Sequence, residues 1–442
     1  MPYLTKLHID QLRHLSNFDI DLSPHANRQF SHLVITGPNG SGKTTLLNGI
    51  AKECTLNARK QFKNNDAFKA ALEQEIKNRQ SLLQSSSTNR IADLENQLYS
   101  IDSRIEHYRK QILNQNQEHP VQLQWSTGGG QHSINQAFSS GNSVFFHAPA
   151  QRQLGINSVT GPQRLALTTE ALTPQVQGDT RNAVAGYILQ LLVNKKTERT
   201  FASEDGESET VRRIDDWFES ARQAFGILLD DPGLKLVFDR VKWDYTLVRS
   251  KDGREFNLHG LSHGHASAIQ LFSELLVRFE VSRQAKGDPS FNPQGIAIID
   301  ELETHLHLRL QEAMLPFLTR AFPTIQFIVA THSPAVVASV PNAVVFDLET
   351  QKADRSDALQ GIRYGDLATG HFGVQSDYDI ATRGKLEDLE RLFSKNPRTK
   401  EEEAQMRALA GVLAAKSHSL ALDVLLRLKV AEVHASAAEA QE

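Results

Sequence analysis

Gly37-Pro38-Asn39-Gly40-Ser41-Gly42-Lys43-Thr44 has the residue types and spacing of a loop that wraps a phosphate group. Its glycines let successive backbone N–H groups curl around an anion without Cβ clashes. Before it, His32-Leu33-Val34-Ile35-Thr36 reads as a buried strand. After it, Thr45-Leu46-Leu47-Asn48-Gly49-Ile50 reads as the first turns of a helix. A helix N-terminus adds partial positive charge to such a cradle. In this setting Lys43 reaches the β- and γ-phosphates of a nucleotide and Thr44 ligates Mg²⁺. Thr45 completes the expected set of contacts.

Two further strand ends carry complementary chemistry. Gly295-Ile296-Ala297-Ile298-Ile299 is apolar and stops at Asp300-Glu301. Asp300 can hold Mg²⁺ through water, and Glu301 can orient an attacking water and take its proton. Ile325-Gln326-Phe327-Ile328-Val329-Ala330 is also apolar and stops at Thr331-His332-Ser333-Pro334. His332 can hydrogen-bond a γ-phosphate and that water. Lys43, Glu301 and His332 form the expected catalytic set, and ATP and Mg²⁺ are the implied ligands.

The elements that must position these residues are those of an ordinary globular chain. A length of 442 residues accommodates one large domain with insertions, or two domains. A net charge of −4 argues against a uniformly basic nucleic-acid binder. The single cysteine, Cys54, excludes an internal disulfide framework and fits a reducing compartment. No apolar run approaches the ~20 residues of a membrane span, and Met1-Pro2-Tyr3-Leu4-Thr5-Lys6 lacks a signal-peptide core. The expectation is a soluble cytoplasmic protein without a membrane partner.

Leu4–Ile9 and Phe18–Leu22 read as strands around a polar turn. From about residue 57 to 118 glycine and proline vanish. Ile91, Leu94, Leu98, Ile101, Ile105, Tyr108 and Ile112 recur at alternating spacings of three and four, a heptad seam. Phe68, Leu72, Ile76 and Leu83 supply a matching stripe, and Ser85-Ser86-Ser87-Thr88-Asn89 a hairpin tip. The reading is a short antiparallel coiled-coil hairpin, or else two ordinary packed helices, inserted after the phosphate loop. Val121–Trp125 followed by Gly128-Gly129-Gly130 and Ser133-Ile134 suggests a β-hairpin. Ser143–Ala148 reads as a buried strand, Asn194–Thr210 as an exposed loop, and the chain after Asp347 as mainly helical. The expected organisation is a first core lobe at 1–56, the helical insertion at 57–118, the rest of the core at 119–348 and a helical C-terminal region at 349–442.

Leu261-Ser262-His263-Gly264-His265, opening an apparent helix, resembles the Leu-Ser-Gly-Gly-Gln signature loop of ABC-type ATPases. Asp300-Glu301-Leu302-Glu303-Thr304-His305-Leu306-His307 resembles the Asp-Glu-Pro-Glu-x-His-Leu-His run of OLD-like members, with Leu302 in place of the proline. With the strand pair before the phosphate loop and the insertion after it, Met1 to Leu348 is similar to the SMC/RecF/OLD branch of these ATPases. That resemblance implies an α/β P-loop ABC-type ATPase head that works as a homodimer or higher oligomer. Ser262 and Gly264 would complete a partner's nucleotide site, and the His305–His307 segment would pack at the dimer interface rather than hold a metal. It also implies a Mg²⁺-sensing glutamine at a core strand end, either Gln151 or Gln153, with Arg152 between them facing phosphate. Arg13, near the first strand turn, is a further phosphate-contact candidate.

Asp377-Tyr378-Asp379 has the local spelling of a Toprim metal motif, but it lacks the surrounding strands and leads into helices, so no nuclease is expected in this chain. The layout is similar to stand-alone ATPase subunits of bacterial antiphage systems such as Septu and PARIS, in which a separate nuclease or toxin is the effector. Two other readings stand beside it: a RecF-like repair ATPase that clamps DNA, and a regulatory scaffold that binds ATP without turnover. Scattered rather than clustered Arg and Lys count against the first. The intact Lys43, Asp300, Glu301 and His332 count against the second.

Overall fold

The computed structural model describes residues 3–25, 28–57, 65–84, 91–118, 120–126, 137, 140–152, 155–165, 167, 169–172, 184–372, 374, 378–395, 399–418, 420–426 and 428–429. The chain divides into two compact units, Met1–Ile362 and Arg363–Glu442.

The first unit opens with β1 (Leu4–Leu12) and β2 (Leu15–Asp21), paired antiparallel. Phe18, Ile20 and Leu22 are buried while Asp19 and Asp21 are exposed, so the ribbon has one apolar face. β3 (His32–Thr36) is buried throughout and runs into the phosphate loop and helix α1 (Lys43–Asn57). The insertion follows as α2 (Asn65–Gln84) and α3 (Ile91–Glu118). Ion pairs join Glu75 to Arg104 at 2.8 Å and Arg79 to Asp102 at 2.7 Å. The partner number falls as the first rises, so the two helices are antiparallel. Ile101 and Ile105 are buried, Leu98 and Tyr108 half-buried, and their neighbours exposed. The side chains of Phe68, Leu83, Ile91, Leu94 and Ile112, and the expected tip, lie outside the described residues.

β4 (Val121–Trp125) pairs antiparallel with the free side of β1, giving a three-stranded sheet β2-β1-β4. Its expected hairpin partner around Ser133 lies outside the described residues. β5 (Ser143–Ala148) then enters the central sheet. Helices α4 (Ile188–Glu204) and α5 (Ser208–Leu228) follow. They overturn the exposed loop expected at Asn194–Thr210. Its polar residues continue the solvent-facing side of α4, and only the Asp205-Gly206-Glu207 corner breaks the helix.

β6 (Lys235–Asp239), β7 (Asp244–Val248) and β8 (Glu255–Asn257) form a separate antiparallel sheet. Helix α6 (His263–Lys286) returns to the core. Its Glu274 and Arg278 form a buried ion pair, and the Arg278 guanidinium lies 5.2 Å from the centre of the Phe146 ring on β5. Breaking such a buried pair costs ~3–5 kcal/mol, because one charge is left uncompensated.

β9 (Gln294–Ile299), α7 (Leu308–Ala321), β10 (Ile325–Ala330), β11 (Ala343–Asp347) and β12 (Lys352–Arg355) complete the unit. The central order is β12-β11-β3-β10-β9-β5. All neighbours are parallel except β12, which is antiparallel to β11. Parallel strands covered on both faces need unbroken apolar runs. β10 supplies one, with its only polar side chain, Gln326, fully buried. The Gln326 amide donates to the Leu4 and Ser31 carbonyls and accepts from the Leu4 N–H at 2.9 Å, tying the central sheet to β1.

The sequence reading starts the C-terminal region at 349. In the structure, β12 extends the central sheet to Arg355 and the first unit continues to Ile362. The second unit contains α8 (Tyr364–His371), α9 (Ile380–Ser394) and α10 (Lys400–Ala414), with an apolar centre of Leu386, Leu389, Leu413, Leu420 and Val424. Asp379 caps α9 by accepting from the Thr382 N–H at 2.9 Å and its hydroxyl at 2.6 Å. Asp377 lies outside the described residues. Among the described residues no helix is long and apolar enough to cross a membrane.

Candidate functional site

The phosphate loop leaves the C-terminal end of β3. Gly40 and Gly42 adopt φ of 82° and 100°, which only glycine takes without penalty. The Lys43 ammonium is buried and donates to the Gly37 and Pro38 carbonyls, each at 2.9 Å. Burial pushes its pKa down, while Glu303, Asp300, Glu301 and Asp347 pull it back up.

The strand end Asp300-Glu301 lies beside the start of α1. The Thr44 hydroxyl lies near enough to the Asp300 carboxylate to favour its charged form. Asp300 is buried, and its Oδ1 has no hydrogen-bond partner among the described residues. Burial raises its pKa, with Glu301 adding to the rise and Thr44, Arg152 and Lys43 opposing it. A hydroxyl beside a buried carboxylate that has an orphaned oxygen is a donor pair suited to a hard divalent cation. Thr44 and Asp300 thus fit Mg²⁺.

Glu301 has φ of 48°, a left-handed conformation that costs a non-glycine residue ~1–2 kcal/mol. Its Oε2 accepts from the Thr304 hydroxyl at 3.0 Å. Two residues on, Glu303 accepts from the Thr331 hydroxyl and the His332 main-chain N–H. His332 therefore belongs to the same cluster. Burial and Lys43 lower its pKa, against Glu301 and Asp300, which favours the neutral ring that can accept as well as donate.

Gln151 follows β5 with an exposed side chain, and Gln153 lies outside the described residues. Arg152 is the inward residue of this segment. It is buried and donates to the Asp300 and Glu301 carbonyls at 2.8 Å each, to Pro149 O at 3.3 Å, and to the Ser267 hydroxyl at 3.1 Å. Burial lowers its pKa to about 10. These four bonds tie Arg152 to three main-chain carbonyls and one hydroxyl.

Arg13 sits at φ of 58° in the β1–β2 turn and is exposed. Its neighbour His14 makes the contact with the loop, donating from Nε2 to Ser41 O at 3.0 Å. Asn39 is exposed and Thr45 half-buried.

Ser262 is the N-cap residue of α6, is exposed, and pairs through its hydroxyl with His265 Nδ1 at 3.1 Å. A Cβ at Gly264 would stand 2.3 Å from His305 O. Glycine is thus what lets this helix start press against the segment following Asp300-Glu301. His263 faces His305, and His265 faces His307, with ring centres 6.2 and 6.3 Å apart.

His14 and Glu303 are given no role by the motif reading, and Arg152 is given phosphate rather than the Asp300 and Glu301 carbonyls it reaches. Glu303 had a signal, its place in the Asp-Glu-x-Glu string. Arg152 had a weaker one, a charged residue directly after a buried strand. His14 had none, because only the tertiary packing of the β1–β2 turn brings it to Ser41.

A glycine-rich loop and an acidic strand end thus meet on one parallel sheet, with a signature-type helix start packed behind them, the layout of a P-loop ATPase head. The chain's sequence relatives carry Septu and retron ATPase names. The Septu protein PtuA of Bacillus thuringiensis is 26% identical over 372 residues, 83% of this chain and 81% of that protein. The "Retron Vc95 probable ATPase" of Vibrio cholerae serotype O1 biovar El Tor is 37% identical over 97 residues, 22% of this chain and 18% of that protein. The "Retron Ec83 probable ATPase" of Escherichia coli is 29% identical over 137 residues, 31% of this chain and 24% of that one. The chain thus spans less than a third of either retron protein.

A family model described as "AAA domain, putative AbiEii toxin, Type IV TA system" matches residues 175–338, and another AAA-domain model matches residues 6–55. Among solved structures, an SMC head bound to the C-terminal winged-helix domain of ScpA superposes with a TM-score of 0.36 and 13% identity, over 78% of this chain and 94% of that one.

Proposed function

We propose that this chain binds ATP with Mg²⁺ and hydrolyses it at a site completed by a second copy, as the nucleotide-driven switch of an antiphage system whose effector is a separate nuclease or toxin. The observation that carries the hydrolytic part is the buried, orphaned Asp300 oxygen beside Thr44 and a buried Lys43. On nucleotide binding, Lys43 exchanges the Gly37 and Pro38 carbonyls for phosphate oxygens. Thr44 and Asp300 hold Mg²⁺, which supplies charge neutralisation at the phosphates when bound. Glu301 leaves Thr304 to orient the water and accept its proton, and His332 hydrogen-bonds the γ-phosphate.

The dimeric part rests on Ser262. It stands exposed at the N-terminus of a 24-residue helix, where N–H groups and helix dipole suit an anion. The antiphage role is supported by the match to PtuA along four-fifths of both chains. The cytoplasm is the compartment this reading implies.

The test is steady-state ATPase activity of the purified chain with and without duplex DNA, and of its complex with the product of the neighbouring gene. Mg²⁺-dependent turnover independent of DNA, together with a nuclease or toxin that co-purifies, is the expected result. Turnover that requires DNA would favour a DNA-clamping ATPase instead. An absence of turnover in every sample would overturn the enzyme.

A further inference from the structure

The guanidinium of Arg152 joins three elements that a hydrolysing site must keep in register. Its two terminal nitrogens each reach 2.8 Å to a main-chain carbonyl, one of Asp300 and one of Glu301. A second bond from one of them reaches back to Pro149 O, just after β5. Its Nε donates at 3.1 Å to the hydroxyl of Ser267, which is buried on α6 five residues after Ser262. The fork is thus fixed at one side to the helix that starts at the signature-type loop. At the other side it is fixed to the backbone of the two carboxylate residues. Glu301 sits in a left-handed conformation, so its side-chain direction depends on what holds its main chain.

We propose that Arg152 is a positioning residue for ATP hydrolysis. It sets Asp300 and Glu301 through their carbonyls, and Ser267 makes that setting depend on the position of α6. Engagement of the α6 N-terminus by a second copy is then passed to the carboxylates through one side chain. This rests on the hydrolytic reading above, and it assigns that site a means of sensing its partner. A planar five-donor guanidinium suits the task, whereas a lysine ammonium on its flexible stem does not reproduce the fork.

The test is a kinetic cycle of Arg152→Lys, Ser267→Ala and the double variant in the full chain, with ATP affinity measured separately by calorimetry. Displacing a catalytic group by about an ångström costs up to ~10²-fold, so Arg152→Lys is expected to lower kcat ~10–100-fold. Removing the Ser267 anchor alone is expected to cost ~3–10-fold, with KM and ATP affinity within ~3-fold of wild type in every variant. The double variant should be no slower than Arg152→Lys. Ser267→Ala removes one hydroxyl, so it keeps the proposal testable if Arg152→Lys does not fold. A Ser267→Ala enzyme with wild-type kcat, fully multiplicative losses in the double variant, or a raised KM at unchanged kcat would overturn the positioning role while leaving the ATPase intact. A Glu301→Gln control that hydrolyses at the wild-type rate would overturn the hydrolytic reading, and this proposal with it.

Discussion

Glu303 accepts a hydrogen bond from the Thr331 hydroxyl at 2.7 Å, and its other carboxylate oxygen accepts the main-chain N–H of His332. The segment after the acidic strand end thus clamps the segment that carries the histidine. Glu303→Ala removes both acceptors and leaves the His332 N–H without its carboxylate partner. An unsatisfied buried group costs ~1–3 kcal/mol, so the thermal midpoint is expected to fall. The rate of hydrolysis should fall with it, at a nearly unchanged ATP affinity. If kcat is unaltered, His332 does not depend on this clamp.

Lys43 rests on two loop carbonyls that a nucleotide would replace with phosphate oxygens. Hydrogen bonds to charged groups contribute about 1.5–3 kcal/mol, so Lys43→Ala is expected to weaken ATP binding ~10–100-fold by calorimetry. Wild-type affinity in that variant would remove Lys43 from the site.

Glu301→Gln keeps the shape of the side chain but cannot take a proton. ATP binding should persist, while turnover drops ~10²–10⁴-fold, the usual contribution of a general base. On size exclusion with ATP and Mg²⁺ this variant should accumulate as a dimer. Wild-type turnover would reassign the base.

Exposure of Ser262 allows a complementation test. Ser262→Arg obstructs the partner's site, and Lys43→Ala empties the variant's own. Each homodimer should be inactive, and a verified heterodimer should recover one working site of two. An inactive heterodimer would exclude action of the loop on its partner.

His32 is buried at the start of β3, where its Nδ1 accepts from the Phe327 N–H at 3.1 Å. Burial, with a smaller effect from Arg28, lowers its pKa from 6.5 to about 4. Between these values the unfolded chain holds more protons than the folded one. The contribution of His32 is therefore complete above the unfolded pKa of ~6.5 and is lost as pH falls towards the folded one. From pH 7 to pH 5 this amounts to about 2 kcal/mol at ~1.4 kcal/mol per pH unit. His32→Asn retains an acceptor without the titration. Urea midpoints at the two pH values should show a smaller acid loss in the variant, and equal losses would show that His32 is not the group responsible.

The phosphate loop, Asp300 and Glu301 were legible because their chemistry depends on local sequence: glycines at fixed offsets, and carboxylates directly after an apolar run. The insertion was legible through Leu98, Ile101, Ile105 and Tyr108, whose helical period appears directly as burial. Asn194–Thr210 misled because polarity reports exposure, not conformation. A helix with one wet face spells much the same residues as a loop. Val121–Trp125 could be read as a strand but not assigned to β1, since pairing partners are distant in sequence. The same holds for His14 and Arg152. Each is set by a contact across packed elements, and only the folded chain brings those elements together.

β3 runs between β11 and β10, near the middle of the six-stranded sheet rather than at its margin. Releasing its amide protons means parting strands on both sides, so they should be among the slowest to exchange with solvent. The phosphate loop hangs from the end of this persistent strand. Much of the freedom a flexible loop would surrender on meeting an anion is thus already lost when the sheet forms. Binding then acts on a preformed receptor, and little of its free energy is diverted into ordering the cradle itself.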